Sequence, residues 1–391
     1  MAAGEPAESG KMTIAMLPEI SGLSFSEFLN RLAGNPPLQV TTFLVLGTIL
    51  VNGATDAPNA IASLVASGGM ELKKAIRMAA FFNFAGLALM ASWNANVAFT
   101  IYHMVDFGGD PKKALTALCA ALAAIILWAS AAWCFGIPTS ESHALIAGLT
   151  GAAISIHKGL AGIHWEEWIK VVYGLFFSGI LGLGMGFAGG KYVLLAGKRN
   201  GWGTEYGEEK HRNRKRLGDN RLSVRKQRGI ERMQTAGAAA MAFMHGAQDG
   251  QKFMGVFLMG IFLAGGRTSD GSFSVPLWMT ALCSVVMAAG TAAGGERIIK
   301  KVGMEMVRLE KLQGIASDAA AAVCLLSASW IGIPVSTTHV KTTSIMGVGL
   351  ATDAEAVDMA VIKEMLLAWV ITFPGCGLIG YIMAEWFRKL V

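Results

Sequence analysis

Charged side chains are scarce in this sequence: Asp, Glu, Lys and Arg make up 15% of its 391 residues, whereas 53% of the residues are hydrophobic. A soluble domain typically carries about 25% charged residues. The composition therefore excludes an ordinary water-soluble protein and indicates one that is largely surrounded by lipid.

Cysteine is also rare, and its placement excludes several kinds of site. All five cysteines lie inside apolar segments, without a CxxC pair. No two histidines stand four positions apart, as they do in common metal motifs. We therefore interpret the cysteines as reduced packing residues, and we expect no cofactor and no metal other than a sodium ion.

Long apolar runs are abundant. Eight of them are close to the length of ~20 residues that a helix needs to cross a bilayer. Two shorter runs each follow a proline. Because their apolar residues are continuous rather than alternating, they predict helices and not barrel strands. The predicted fold class is all-α, a polytopic transmembrane helical bundle. The long runs are about 38–54, 75–101, 114–135, 168–190, 235–265, 275–294, 315–331 and 361–386, and the short ones are about 140–156 and 336–351.

Positive charge is concentrated in one connector. Residues 197–233 contain twelve Lys and Arg against five Asp and Glu, a net charge of +7, whereas the rest of the chain sums to −1. The positive-inside rule predicts that such a connector stays in the cytoplasm. The basic connector is better suited to contact with anionic lipid than to nucleic-acid binding. Its position between apolar runs indicates a multi-pass protein of the cell membrane.

Two pairs of segments repeat across this connector. Residues 53–60 read GATDAPNA and 246–252 read GAQDGQK, while 136–143 read GIPTSESH and 332–339 read GIPVSTTH. Internal duplication around interrupted helices is typical of secondary transporters, whose repeats meet at a central substrate site. We predict an N-terminal segment (1–37) with a short interfacial helix at 24–33, a first repeat (38–196), the connector (197–234) and a second repeat (235–391). The repeats are predicted to be inverted and to contain broken or re-entrant helices.

Hydroxyl side chains cluster after each proline, where an apolar helix begins. Such residues cap helix starts, whose free N–H groups and positive dipole ends attract anions. The pattern predicts an oxyanion site, although simple capping would also explain one cluster alone. The candidate residues are Ser140, Ser142, Ser336, Thr337 and Thr338.

Two acids lie within apolar stretches, where an ionised group is costly unless it is paired. Asp56 and Asp249 are therefore candidates for binding a coupling cation, sodium or a proton, which would offset the charge of a nearby anion. A structural alternative for Asp249 is an ion pair with Lys252, about one helical turn away. The neighbouring oxygen and amide groups that would complete the cation sites belong to Thr55, Asn59, Gln248 and Gln251.

Three histidines are candidates for supporting roles. His143 and His339 occupy matching positions after the hydroxyl clusters, and His245 precedes the second acidic segment. Each of the first two could donate a hydrogen bond to the anion, or could bond a neighbouring carbonyl instead.

These segments resemble the paired signatures of the inorganic phosphate transporter (PiT) family, the phosphate permeases. The similarity covers about residues 40–386, and the segment from Pro334 to His339 matches in full. The resemblance implies an inverted-repeat carrier in which hydroxyls bind phosphate, while aspartates and amides bind the coupling cation. The sequence departs from the family pattern at Thr55 and Gln248, where the family has Asn, and at Ala57 and Pro58. A further departure is Glu141, which stands where the family has a hydroxyl residue.

Glu141 would repel an anion unless a proton lies between them. Phosphate near neutral pH keeps at least one P–OH group, which needs an acceptor, whereas sulfate has none. A carboxylate here would thus favour phosphate over sulfate. Two alternatives remain open: Glu141 could titrate in proton coupling, or it could point away into a polar cavity.

The sequence therefore predicts a symporter of inorganic phosphate driven by sodium or protons, and not an enzyme. A sulfate or other oxyanion carrier is the first alternative. An intramembrane hydrolase using Ser140 with His143, or Ser336 with His339, and a passive anion channel are the others. The oligomeric state stays open, a homo-oligomer included.

Overall fold

The computed structural model describes residues 23–135, 137, 139–200, 220–265, 275–294, 299–300, 302, 306–307 and 309–390. Within these ranges the regular structure is helical, and the only β contacts are two isolated bridges. The predicted all-α fold is therefore confirmed. Residues 201–219 of the basic connector lie outside the described residues.

Thirteen α-helices form in the described residues. Those before the connector are α1 (Phe25–Ala33), α2 (Pro36–Thr55), α3 (Ala62–Ala66), α4 (Leu72–Trp93), α5 (Asn96–His103), α6 (Pro111–Phe135), α7 (Glu141–His157) and α8 (Trp165–Asn200). Those after it are α9 (Asn220–Ala264), α10 (Leu277–Ala293), α11 (Lys311–Trp330), α12 (Thr337–Thr352) and α13 (Met359–Leu390). The apolar run 75–101 is not one helix as predicted, because it divides into α4 and α5 at Asn94 and Ala95.

Six described helical segments are long and apolar enough to cross a membrane. Large apolar side chains on their outer surfaces are exposed, such as Phe176 on α8 and Val370 on α13. Apolar helix surfaces outside a core are stable only in lipid. The chain is therefore a membrane protein. The six segments are Pro36–Ala66, Leu72–Trp93, Pro111–Phe135, Trp165–Ala196, Lys311–Trp330 and Met359–Lys389.

The two halves use the same packing plan. Five helices of the first half correspond in order to five of the second: α2, α4, α6, α7 and α8 to α9, α10, α11, α12 and α13. Corresponding pairs make the same contacts across the two halves. Helix α4 packs on α9 just as α10 packs on α2, and α8 packs on α12 just as α13 packs on α7. Each half thus packs its helices against those of the other. This exchange places the starts of α7 and α12 in the interior.

Glycines at equivalent positions permit the close contacts between the halves. A methyl group on Gly86 of α4 would overlap the carbonyl of Phe243 on α9, and one on Gly290 of α10 would overlap the carbonyl of Leu50 on α2. Phe243 and Leu50 each stand six positions before the aspartate of their half. The helix crossings beside the acidic segments are therefore alike in both halves.

The acidic segments themselves differ in backbone. Asp56 directly follows the last residue of α2, Thr55, and a 3₁₀ helix follows over Ala57–Ile61. Asp249 instead lies within the continuous helix α9. Pro58 accounts for the difference, because proline has no N–H group and its ring clashes with the carbonyl of residue i−4. The second half has Gln251 at the equivalent position.

Candidate functional site

The starts of α7 and α12 meet at the centre of the protein. Ser140 caps α7 and Ser336 caps α12, each accepting a backbone N–H from the histidine three positions on, at 3.2 and 3.1 Å. The two hydroxyls hydrogen-bond each other at 2.8 Å, and both serines are buried. Two positive helix ends therefore face the same small volume, which is a favourable place for negative charge.

Asp56 lies beside these helix starts. Thr338 donates its hydroxyl to Oδ1 at 3.0 Å, and the backbone N–H of Glu141 donates to Oδ2 at 3.4 Å. The side-chain amide of Asn59 donates to the Thr338 hydroxyl at 3.2 Å. The first-half acid is thus held by the start of α7 and by a hydroxyl of the second half.

Asp249 has a similar but more strongly paired environment. Thr337 donates to its Oδ2 at 3.1 Å, and Asn52 donates to the same oxygen at 3.3 Å. Lys252 Nζ is 2.6 Å from Oδ1, so the predicted ion pair is present. His245 Nε2 lies 3.4 Å from Oδ2. The two acids approach each other closely, because Asp56, His245 and Asp249 offer ligand atoms within 4.8 Å of one another.

Glu141 points into this cluster. It is buried, and the hydroxyl of Thr55 donates to its Oε1. Within the described part of the chain, its Oε2 has no hydrogen-bond partner. A free, buried acceptor beside two helix starts is suited to a ligand that brings a proton to donate.

The buried amide oxygens of Asn52 and Asn59 are also without hydrogen-bond partners among the described residues. Amide and carboxylate oxygens are the ligands that hard cations prefer. Asn52 was not predicted, although the sequence holds a signal for it: Asn52 stands four positions before Asp56, as His245 stands four positions before Asp249.

Other predicted residues lie differently. Gln248 turns to α11, where its amide donates to Ser329 Oγ at 2.9 Å. Gln251 is buried, and its amide makes no hydrogen bond to a described residue. The rings of His143 and His339 pack edge to face with centroids 4.2 Å apart. They line a largely apolar cavity of about 630 Å³.

A second buried ionic cluster was not predicted. Lys341 of α12 pairs with Asp318 of α11, and Ser63 of α3 donates to Asp318 Oδ1 at 2.8 Å. Lys341 also lies 3.1 Å from Ser63 Oγ. Both charged residues stand in apolar runs, which is the signal that could have revealed them. Their contacts tie the second half to the segment that follows the break at Pro58.

Comparison with known proteins agrees with this architecture. A solved structure described as "The sodium-dependent phosphate transporter" superposes with a TM-score of 0.78 at 22% identity, covering 91% of this chain and 99% of that chain. It is similar in fold.

Two relatives are named "Probable low-affinity inorganic phosphate transporter". The protein of Bacillus subtilis (strain 168) is 33% identical over 332 residues, which are 85% of this chain and 91% of the relative. That of Rhizobium meliloti (strain 1021) is 32% identical over 335 residues, 84% of this chain and 90% of the relative. The model of the phosphate transporter family matches residues 52–380. The chain belongs to the phosphate transporter family.

Proposed function

We propose that this protein is a symporter that carries inorganic phosphate into the cell together with a cation, sodium or a proton. The observation that carries the proposal is the contact between Ser140 and Ser336, one from each half, directly beside Asp56 and Asp249. Hydroxyls and two helix starts provide for the anion, while the carboxylates provide for the cation.

The phosphate site is proposed to lie between the starts of α7 and α12. Its ligands are hydroxyls and free backbone N–H groups, which together can donate to several oxygens of one tetrahedral anion. The proposed phosphate ligands are Ser140, Glu141, Ser142, Ser336, Thr337 and Thr338.

The cation site is proposed to lie at Asp56, with Asn59 and Thr55 as further ligands. The unpartnered amide oxygen of Asn59 supports this assignment, since a buried carbonyl-type oxygen needs a partner. An all-oxygen ligand set favours sodium among the candidate drivers. Because Gln248 turns to Ser329, we do not propose it as a ligand in this conformation.

Hydroxyl geometry offers a physical basis for coupling. A threonine hydroxyl has a single proton to donate, and that of Thr338 is directed to Asp56 Oδ1 at 3.0 Å. A cation bound to the Asp56 carboxylate would take over that interaction, so the hydroxyl could turn to phosphate. The cation would also offset the charge of the anion in a medium of low dielectric constant. Each solute should therefore strengthen binding of the other.

The matched packing of the halves supports inverted repeats, since each half contributes five principal helices and an odd number of crossings reverses orientation. We propose that the protein is a multi-pass component of the cell membrane. We further propose that the basic connector 197–233 is cytoplasmic.

The rival functions are less well supported. The family assignment gives a transporter and not an enzyme. In keeping with this, Ser140 and Ser336 contact their histidines through backbone N–H groups while the rings pack together, so the residues are not arranged as nucleophile and base. Passive conduction differs from symport in that it never accumulates phosphate against its gradient, and sulfate transport is tested by competition of sulfate with labelled phosphate uptake.

Uptake of radiolabelled phosphate into proteoliposomes tests the proposal. Sodium and pH gradients are imposed separately, and Asp56→Asn serves as a variant that lacks the proposed cation ligand. We expect accumulation against the phosphate gradient under one of the two gradients, and its loss in the variant. Uptake that never exceeds equilibrium would indicate a channel, and no uptake under either gradient would refute the proposal.

A further inference from the structure

Lys252 and Asn59 are equivalent residues of the two halves. Each stands three positions after its aspartate, and each contacts an equivalent hydroxyl of the other half. Asn59 Nδ2 lies 3.2 Å from Thr338 Oγ1, and Lys252 Nζ lies 2.6 Å from Ser142 Oγ. The hydroxyls of Ser142 and Thr338 both follow a capping serine by two positions. The second half therefore carries a fixed positive charge where the first half has a neutral amide.

Three oxygens surround the ammonium group of Lys252. They belong to the carboxylate of Asp249 at 2.6 Å, the hydroxyl of Ser142 at 2.6 Å and the backbone carbonyl of Val335 at 2.5 Å. An ammonium group has three N–H donors, so all of them are engaged and none is left for a phosphate oxygen. Carboxylate, hydroxyl and carbonyl oxygens are also the groups that bind a hard monovalent cation.

Asp56 has no such partner. Its described contacts are the Thr338 hydroxyl and a backbone N–H group, and no Lys or Arg forms an ion pair with it within the described ranges. Both aspartates are buried, and a buried carboxylate is stable in its ionised form only with a compensating charge. The structure supplies that charge at Asp249 and leaves Asp56 to obtain it from outside.

We infer that the ammonium group of Lys252 permanently takes the place of a second coupling cation. The carrier then binds one exchangeable cation for each phosphate, at Asp56, and the Asp249 site is filled by the protein itself. This inference rests on the proposed symport and specifies its stoichiometry.

The test is the dependence of phosphate uptake on the concentration of the driving cation. For the wild-type protein we expect a Hill coefficient of about 1, so that a tenfold change at low cation changes uptake about tenfold. In Lys252→Asn, which copies the residue of the first half, Asp249 also needs an exchangeable cation. For this variant we expect a Hill coefficient of about 2, so that a tenfold change at low cation changes uptake about a hundredfold.

Lys341→Asn is the matched control. It also removes a buried lysine from an ion pair with an aspartate, but this pair lies outside the proposed site. Its coefficient should stay at about 1. A coefficient near 2 in the wild-type protein, or near 1 in a Lys252→Asn protein that still transports, would overturn the inference.

A second measurement keeps the inference testable if Lys252→Asn fails to fold. The number of driving cations that enter with each labelled phosphate in the wild-type protein, followed as radiolabelled sodium or as the pH change caused by protons, should be about one, and a ratio of two would overturn the inference. Complete absence of coupled uptake would be a different result, because it would refute the symport itself.

Discussion

Replacing Glu141 by threonine should reduce the discrimination between phosphate and sulfate. The change gives α7 the residue that the second half has at Thr337, and it removes the buried Oε2 that has no hydrogen-bond partner among the described residues. Phosphate can donate a P–OH proton to that oxygen, whereas sulfate cannot. A threonine hydroxyl either donates or accepts, so it satisfies both anions.

The size of the effect follows from the cost of an unpaired acceptor. A buried polar group that loses its partner costs about 1–3 kcal/mol, and more if it is charged. A factor of ten in a binding constant corresponds to about 1.4 kcal/mol. The wild-type protein should therefore bind phosphate roughly 5- to 150-fold more tightly than sulfate. In Glu141→Thr the preference should fall towards one, mainly because sulfate binds better.

Competition of labelled phosphate uptake by unlabelled sulfate measures this preference. Glu385→Gln provides a control, since it changes a carboxylate of α13 that pairs with Lys158 and Arg388 away from the site. If sulfate competes with the wild-type protein as well as unlabelled phosphate does, the reasoning is refuted. A Glu141→Thr protein that still rejects sulfate would refute it equally.

Three further predictions concern affinity and stability. Ser336→Ala should raise the phosphate KM in uptake kinetics roughly fivefold through a lost hydrogen bond of about 1 kcal/mol; an unchanged KM would argue against its role. Asp318→Asn should lower the melting temperature in detergent, because unpairing buried Lys341 costs about 3–5 kcal/mol; a temperature equal to wild type would contradict this. Gly86→Ala should also destabilise the protein, by overlap with the Phe243 carbonyl, and unaltered melting would show that the helices can separate freely.

The helical framework was largely predictable from local sequence. Bilayer-length apolar runs became helices, and Asn35 and Ser140 begin theirs with side-chain caps. The different backbones at Asp56 and Asp249 were not predicted, because the two segments share a motif. The decisive residue was Pro58, whose missing N–H group acts on the backbone directly.

The candidate site was predictable where the two halves share the same residue pattern. It was not predictable where the orientation of a long side chain depends on its packing. The hydrogen bond between Ser140 and Ser336 joins two capped helix starts, one from each half of the chain, and both caps were predicted from the sequence. Gln248 bonds Ser329 instead of approaching Asp249, because α11 lies on that side of α9. The orientation of Gln248 depends on packing between segments far apart in sequence, so it cannot be predicted from the local sequence.

The break after Asp56 makes the two halves mechanically unequal. A proline-containing 3₁₀ turn can pivot at modest cost, whereas the uninterrupted α9 must bend as a rod. Any rearrangement that opens the centre should therefore begin in the first half, at Asp56, where we propose that the exchangeable cation binds. In the second half, Lys252 is already paired with Asp249. We therefore expect the second half to stay fixed while the first half moves.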